Sequence, residues 1–189
     1  MSAIAPTLGG ISDKGEGIGW ESQLEALGKI FNKESEAKKA IEEDQKRFSD
    51  VKEKLPNLSG KTGIVSQFAQ GSFGAVADPE DPGASFIYDL GMKFPDKLTD
   101  GSVPVDKGRV TLSPENVSYL AADFMVIYNR DGSIEEFENI PGYKDFPQVK
   151  SDATLAGDSA IVAGLNNPTS LSRAWVLDKT MPTLEKVGK

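Results

Sequence analysis

Residues 112–129, LSPENVSYLAADFMVIYN, carry the clearest structural signal in the chain. Ser113 is a favoured residue for the N-cap of a helix. Pro114 suits the first helical turn, because an N–H at that position has no partner within the helix, so its absence in proline costs nothing. The segment that follows predicts a short helix, and DFMVIY at 123–128 is apolar enough for a strand buried on both faces. A helix leading into a buried strand is the building unit of α/β proteins.

Further buried strands are predicted on both sides of this unit. GIVSQF at 63–68 and GSFGAVAD at 71–78 are short apolar runs rich in β-forming residues, and IVAG at 161–164 is another. Helical segments separate these runs. The sequence therefore predicts an α/β fold, with a mainly parallel sheet flanked by helices.

The predicted helices include two near the start of the chain. WESQLEALGKIF at 20–31 places Trp20, Leu24, Leu27 and Phe31 on one apolar stripe, which we expect to be buried. A longer charged helix follows and ends before Pro56. Its charges are typical of a solvated outer face, although a surface that docks a protein partner is the alternative interpretation. A last helix is predicted from about residue 170, through Trp175, Leu177 and Leu184.

The organisation along the chain predicts one domain. Residues 1–19 read as an irregular N-terminal segment, and residues 20–189 as a single α/β lobe. The first residues show neither the charged and apolar regions nor the cleavage site of a secretory signal. The glycines of GGISDKGEGIG at 9–19 lack the spacing of a dinucleotide-binding loop, and no strand precedes them.

Composition narrows the possible functions. The chain has 29 acidic and 21 basic residues, a net charge of −8, which argues against nucleic-acid binding because phosphates require a basic surface. It contains no cysteine and no histidine. Catalysis by Ser-His-Asp or Cys-His groups and most zinc sites are thereby excluded, and we expect that the protein is not an enzyme.

Candidate binding residues lie at the ends of the predicted strands, where α/β proteins hold their ligands. Arg130 directly follows the best strand and could pair with an anionic ligand, although a surface ion pair with Asp131 or a nearby glutamate explains it equally well. Phe68, Phe73 and Tyr128 could contact an apolar ligand, or they could be core residues. The acidic stretch DPEDPG at 78–83 is more typical of a turn than of a calcium loop, because the EF-hand order is absent.

Several segments in this order resemble the C-terminal lobe of the iron–siderophore and cobalamin class of ABC-transporter substrate-binding proteins. They are SAIAPT at 2–7, the helical stretch from Trp20 to Phe48, the strand after KTG, the unit at 112–128 and NNPTSLSRAWVLDKTMPTLEKV at 166–187. No single motif is specific. The resemblance rests on the order and spacing of segments that cover nearly the whole chain.

The resemblance implies a Rossmann-like lobe of a periplasmic binding protein with a helical backbone between two lobes. In that family the segment similar to SAIAPT lies in the middle of the protein, so an N-terminal lobe is expected upstream. The ligand would be a ferric siderophore held between the lobes, and this lobe alone would bind it weakly or not at all. The cleft positions correspond to Phe68, Phe73, Tyr128, Arg130, Asn166 and Asn167, with Val162 where relatives often carry an aromatic ring.

The resemblance also implies partners and a location. The family docks to an ABC permease through a surface glutamate, and this chain has Tyr88 there, so we expect Asp89 or Glu80 to serve instead. Iron would arrive already chelated, with no metal site or other cofactor in the protein. The full-length protein would lie outside the cytoplasm, in the periplasm or as a cell-surface lipoprotein, and would meet the membrane through the permease or an upstream lipid anchor.

Two other functional interpretations remain at this stage. The main alternative is a standalone α/β module that binds a protein and no small molecule, with the acids of the long charged helix as its contact surface. The third is a carboxylate-based hydrolase, for which the sequence offers many acids but no distinctive pair. The sequence also leaves open which siderophore is bound, and whether cobalamin or haem replaces it.

Overall fold

The computed structural model describes residues 19–189, and the predicted irregular segment lies outside this range except for its last residue. The α-helices are α1 (Trp20–Phe31), α2 (Glu34–Lys54), α3 (Ser85–Asp89), α4 (Asp96–Thr99), α5 (Pro147–Lys150), α6 (Ser159–Asn166) and α7 (Ser170–Leu184). The strands are β1 (Gly63–Ala69), β2 (Ser72–Val76), β3 (Arg109–Leu112), β4 (Phe124–Asn129) and β5 (Thr154–Ala156). Short 3-10 helices occupy Pro56–Leu58, Pro82–Ala84, Pro114–Leu120, Ile134–Asn139 and Tyr143–Asp145.

The strands form one sheet in the order β3-β2-β1-β4-β5, which confirms the predicted α/β class. The sheet is mixed: β4 pairs in parallel with β1 and β5, whereas β2 pairs antiparallel with β1 and β3. The cause is the tight turn at Gln70 and Gly71, whose φ angles are 53° and 75°. A two-residue turn with two positive φ angles can join only antiparallel neighbours, so β1 and β2 form a hairpin.

The predicted strand at 161–164 is wrong, because these residues lie in α6. Asp158 caps this helix: its Oδ1 accepts hydrogen bonds of 2.9 Å from the backbone N–H groups of Ala160 and Ile161. Ile161 and Leu165, four positions apart, then lie on the same buried face. A run of four apolar residues fits a strand and a buried helical face equally well, and the cap decides between them.

Two helical predictions also need correction. In α1 the buried residues are Trp20 and Gly28, which packs against α2, whereas Leu27 is 48% and Phe31 is 67% exposed. The predicted buried stripe therefore covers only part of the helix. The helix predicted after Ser113 is a 3-10 helix interrupted at Asn116, with φ −97° and ψ 15°.

Apolar side chains pack on both faces of the sheet because successive residues of each strand point to opposite faces. The face covered by α2, α3, α6 and α7 includes Phe48, Val65, Leu90, Phe124, Val126 and Leu177. The other face includes Ile64, Phe73, Leu112, Met125, Ile127 and Phe137. Within residues 19–189, no helix combines the length and the apolar character that crossing a membrane requires.

The strand directions determine where a site can form. The carboxyl ends of β1, β4 and β5 lie at one edge of the sheet, which we call the strand-end edge and define by Phe68, Tyr128 and Ala156. Strand β2 runs in the opposite direction, so its last residue, Val76, lies toward the other edge.

Candidate functional site

The strand-end edge brings together three of the six predicted ligand-binding residues. In the parallel pairing of β1 and β4, Gln67 lies opposite Tyr128 and Phe68 opposite Asn129. The chain leaving β4 stays attached to β1, because the N–H of Arg130 donates a hydrogen bond of 2.8 Å to the carbonyl oxygen of Phe68. Phe68, Tyr128 and Arg130 are therefore neighbours at the end of two adjacent strands.

The side chain of Arg130 is exposed, and the described part of the chain offers it no ion-pair partner. The sequence left open an ion pair with Asp131. In the structure the Asp131 carboxylate instead accepts a hydrogen bond from the backbone N–H of Gln70, in the β1–β2 turn. The guanidinium of Arg130 is thus available to an anionic ligand, for which it can supply two parallel hydrogen bonds.

Asn129 shapes the loop that carries Arg130, and the sequence analysis missed it. The side chain is 5% exposed, and its Oδ1 accepts hydrogen bonds from the N–H groups of Asp131 at 3.0 Å and Gly132 at 3.1 Å. Its Nδ2 donates to the carbonyl oxygen of Ser133 at 2.7 Å. The signal was present in the sequence, since an asparagine whose side chain can accept a hydrogen bond from the N–H two residues later, here that of Asp131, is typical of a turn.

The aromatic residues at this edge do not form one surface. Phe73 is fully buried, with its ring centroid 4.8 Å from that of Phe68 and 5.3 Å from that of Phe137, which is the position expected of a core residue, the alternative that the sequence left open. Phe68 and Tyr128 are both partly buried. Tyr128 is level with Gln67, the neighbour of Phe68, so the two rings lie on opposite faces of the sheet.

The two predicted asparagines lie elsewhere. Asn166 is the last residue of α6, and its Oδ1 lies 3.3 Å from the position of a Cβ atom built on Gly83. Gly83 follows β2, so Asn166 lies toward the edge opposite Arg130. Asn167 is exposed, and its Nδ2 donates a long hydrogen bond of 3.5 Å to the carbonyl oxygen of Ala163. The structure does not join these two residues to the strand-end edge.

Asn166 instead belongs to a small recess on the α6 side of the sheet. The recess has a volume of about 40 Å³, and Gln67, Arg109, Val162 and Asn166 contribute to its lining. The Oδ1 of Asn166 is buried and has no hydrogen-bond partner among the described residues. Arg109 is drawn toward Asp81, with Nε and Oδ2 3.4 Å apart. A recess of this size has room for water rather than for a chelate.

A larger depression of about 460 Å³ opens beside the end of β5. Ile134 and Glu135, which follow the Arg130 loop, line one side, and Thr154 and Ala156 of β5 line another. Its volume is within the range of small-molecule sites. No sequence pattern indicated it, because its walls come from segments that meet only in the folded chain.

The two predicted docking acids differ in their surroundings. Glu80 is exposed in a turn where its backbone N–H donates to Asp78 Oδ1 at 2.9 Å. Asp89 is 46% exposed, and its Oδ2 accepts a 2.7 Å hydrogen bond from Nη2 of the buried Arg173. Asp89 is therefore a surface carboxylate with a fixed orientation, whereas Glu80 is a free one.

The acidic turn at 78–83 closes on itself. The Oδ1 of Asp81 accepts a 2.7 Å hydrogen bond from the N–H of Gly83 and caps the short 3-10 helix that follows. This arrangement agrees with the turn interpretation. Among residues 19–189, no three histidine, cysteine, aspartate or glutamate side chains are grouped as metal ligands would be.

The charged face of α2 pairs largely with itself. Lys38 with Glu42, Lys39 with Glu43, and Lys46 with Asp50 form ion pairs between residues four positions apart, all with largely exposed side chains. Such pairs are typical of a solvated helical face and contribute little stability. They favour this interpretation over a docking surface.

A comparison with protein families shows the family to which the chain is related. Residues 1–159 match the family described as "Periplasmic binding protein". The chain belongs to the periplasmic binding protein family. A similar protein, the "Probable siderophore-binding lipoprotein YfiY" of Bacillus subtilis, is 33% identical over 100 residues, which are 53% of this chain and 30% of the lipoprotein.

Solved structures of other proteins share the fold of this chain. Staphylococcus aureus SirA superimposes with a TM-score of 0.74 at 19% identity, over 100% of this chain and 71% of SirA. A periplasmic binding protein component of a Fep/Fec-like ferrichrome ABC transporter from Bacillus subtilis superimposes with a TM-score of 0.77 at 20% identity, over 97% of this chain and 69% of that protein. Streptococcus pneumoniae PiaA, in complex with ferrichrome, superimposes with a TM-score of 0.65 at 20% identity, over 90% of this chain and 60% of PiaA. The chain thus spans well under the full length of these relatives.

Proposed function

We propose that this protein is one lobe of an extracytoplasmic solute-binding protein that captures a ferric siderophore and delivers it to an ABC permease. The observation that carries the proposal is Arg130, an exposed guanidinium without an ion-pair partner in residues 19–189, fixed at the strand-end edge of a periplasmic binding protein lobe. Relatives described as siderophore-binding, and PiaA in complex with ferrichrome, support the choice of ligand class.

In this proposal the chain's own residues hold the ligand by charge and by contact. Arg130 would pair with negatively charged oxygens of the chelate, and Tyr128, two residues earlier in β4, would pack against an apolar or flat part. Phe68 would contribute at the rim from the other face of the sheet. Asn166 and Asn167 are left out of the ligand site because they lie away from this edge.

The rest of the proposed function concerns what surrounds the lobe. A second lobe would close over the strand-end edge, so binding by this chain alone would be weak or absent, since half of the contact area is missing. Iron would be cargo, chelated before it arrives, and the protein would need no cofactor and would catalyse no reaction. Asp89 and Glu80 remain the proposed contacts for the permease.

The test is a calorimetric titration with ferric ferrichrome and ferric staphyloferrin B, on this chain alone and fused to the upstream lobe of a family relative. We expect measurable binding only in the fused form. Arg130→Gln should then weaken binding at least tenfold, the equivalent of about 1.4 kcal/mol for one lost charged contact.

Arg109→Gln is the matched control, because it removes a guanidinium on the recess side of the sheet that also contains Asn166. The siderophore affinity of the Arg109→Gln variant, in the fused form, should match that of the unmodified fused protein. Loss of binding in the Arg109 variant but not in the Arg130 variant would move the site to the recess. No binding of any chelate by the fused protein would contradict the ligand assignment.

A further inference from the structure

The depression beside β5 lies against the strand-end edge. Ala156, one of its lining residues, pairs with Ile127 of β4, and the next residue of β4 is Tyr128, which belongs to the proposed ligand site. Neighbouring strands of a sheet are about 4.8 Å apart. The depression therefore begins one strand spacing away from the strand that leads into the Arg130 loop.

The segment between Arg130 and the depression is short and closed. Ile134, which lines the depression, follows Arg130 by four positions, so their backbones can lie at most roughly 14 Å apart. Asn129 shortens this distance further, because its side chain makes three hydrogen bonds within the loop. One bound molecule can therefore contact both Arg130 and the depression.

The lining of the depression is apolar over much of its surface. Its apolar residues are Ile134, Tyr143, Val149 and Ala156. The hydroxyl group of Thr154, another lining residue, is already used, since its Oγ1 donates a hydrogen bond of 3.2 Å to the carbonyl oxygen of Gln148. A volume of about 460 Å³ has room for a short alkyl chain together with part of the molecule that carries it.

One carboxylate at the depression is not balanced by a cation. Glu135 is exposed and has no ion pair within residues 19–189, and a hydrogen bond with the side chain of Ser133 holds its pKa below the ordinary value, so it is ionised at neutral pH. The other acid of the lining, Asp152, is paired with Lys186. Lys144 also lines the depression and takes part in an interaction of its own. The charge left over is therefore complementary to a cation.

We propose that the depression holds an alkylammonium arm of the ligand, with the carbon chain against the apolar lining and the ammonium group at Glu135. This inference rests on the proposed function, and it names the preferred ligands as ferric chelates that carry a free amine on an alkyl chain. The chelate itself stays at the strand-end edge, where Arg130 pairs with its oxygens. The loop after β4 thus offers a cation to one part of the ligand and an anion to another.

The two parts of the arm contribute separately to binding. Each fully buried methylene strengthens binding by about fourfold, and an exposed ion pair by about fivefold or less. Acetylation of the amine removes the charge and leaves the carbon chain in place. Two ligands that differ only in this acetyl group therefore report on the contact with Glu135.

The first test uses this chain alone, because every lining residue belongs to it. The chain is titrated with n-pentylammonium and with N-pentylacetamide, and binding is followed by the methyl NMR signals of Ile134, Val149 and Ala156. The ammonium probe should bind about fivefold more tightly than the amide, and the two should bind equally in Glu135→Gln. Glu115→Gln is the matched control and should keep the preference, because Glu115 is exposed, follows β3 and does not line the depression.

The second test uses the fused protein with two ferric chelates, ferrioxamine B, which has a free alkylammonium arm, and its N-acetyl derivative. Calorimetry should show a preference of about fivefold for ferrioxamine B in the unmodified fused protein and in Glu115→Gln, and none in Glu135→Gln. Ala156→Phe should weaken the binding of both chelates, because the ring fills the depression, while an exposed strand position accepts an aromatic residue.

The outcomes separate this inference from the proposed function. Equal affinities of the unmodified fused protein for the two chelates, or of the chain for the two small probes, would overturn the inference and leave the proposed function standing. No binding of any chelate would contradict the proposed function, and the titration of the chain alone then decides whether the depression is an amine site.

Discussion

The N–H of Arg130 and the carbonyl oxygen of Phe68 lie 2.8 Å apart, and this hydrogen bond extends the pairing of β1 and β4 one residue beyond the end of β4. It places the backbone of Arg130, whose side chain is exposed, close to the β1–β2 turn. Asn129 closes the loop behind it with three hydrogen bonds. The position of Arg130 thus depends on a buried neighbour as much as on its own side chain.

Asn129→Ala should therefore lower both stability and ligand affinity. Its loss leaves loop N–H groups and one carbonyl without partners, at a cost of about 1–3 kcal/mol in the free energy of unfolding. Asn129→Asp should also be destabilising, because it puts a carboxylate oxygen in place of the Nδ2 donor, opposite the carbonyl oxygen of Ser133 and the carboxylate of Glu136. Urea denaturation measures the first effect and calorimetry with the fused protein the second. Full stability in Asn129→Ala would show that the loop holds without this side chain.

Asp44→Ala should be among the most damaging single changes in the chain. It leaves the buried Arg173 with Asp89 as its only anionic partner, and breaking a buried ion pair costs about 3–5 kcal/mol. Asp50→Ala is the control, because Asp50 pairs on the surface with Lys46 and should lose little. Equal denaturation midpoints for the two variants would contradict the role assigned to Arg173.

Asp123 should stabilise the folded protein at neutral pH and lose this contribution at acidic pH. Burial raises its pKa, but hydrogen bonds from Thr62 N at 2.8 Å and Thr62 Oγ1 at 2.9 Å, together with Lys61, outweigh burial and hold the pKa below its ordinary value. Because the folded pKa is depressed, its contribution is present above the ordinary pKa of about 3.9 and is lost as the pH falls through the folded value.

The measurement for Asp123 is the unfolding free energy of the protein and of Asp123→Asn between pH 2.5 and 7. The variant should be less stable at pH 7, and the difference should shrink on acidification. A constant difference over the whole range would mean that the carboxylate charge has no part in joining β4 to Thr62.

Phe73→Ala should destabilise the hydrophobic core without weakening ligand binding. Phe73 is fully buried between Phe68 and Phe137, so truncation should cost about 3–5 kcal/mol. Phe31→Ala, at a ring that is 67% exposed, is the matched control and should have little effect. Where the Phe73 variant remains folded in the fused protein, its siderophore affinity should stay close to the original, whereas Tyr128→Ala should weaken binding.

The α/β class, the strands β1, β2 and β4, and the cation after β4 could all be predicted from local patterns. The run FMVIYN is buried along its length except at Tyr128, and its neighbour Arg130 is exposed as its position after a strand suggested. The short strands β3 and β5 were harder to predict. Neither RVTL in β3 nor TLA in β5 has enough apolar residues to be recognised, because their pairing partners stabilise them.

The site was only partly predictable. Placing Asn166 beside Arg130 required 161–164 to be a strand ending at the strand-end edge, but Asp158 starts a helix that carries Asn166 away from it. The sequence groups Phe73 with Phe68 and Tyr128 because all three lie at or just beyond the ends of predicted strands. The two-residue turn reverses the chain, and Phe73 then points into the core.

The periodicity of the helices and strands, the absence of histidine and cysteine, and the segment order that resembles the family can all be read without the fold, because none of them depends on which distant residues come into contact. Only the tertiary structure decided that Asp131 binds Gln70 and leaves Arg130 free, that Arg173 joins Asp44 to Asp89, and that the two asparagines lie away from the strand ends. These contacts join residues up to 129 positions apart. Their partners are selected by burial and charge in the folded chain, which no local pattern encodes.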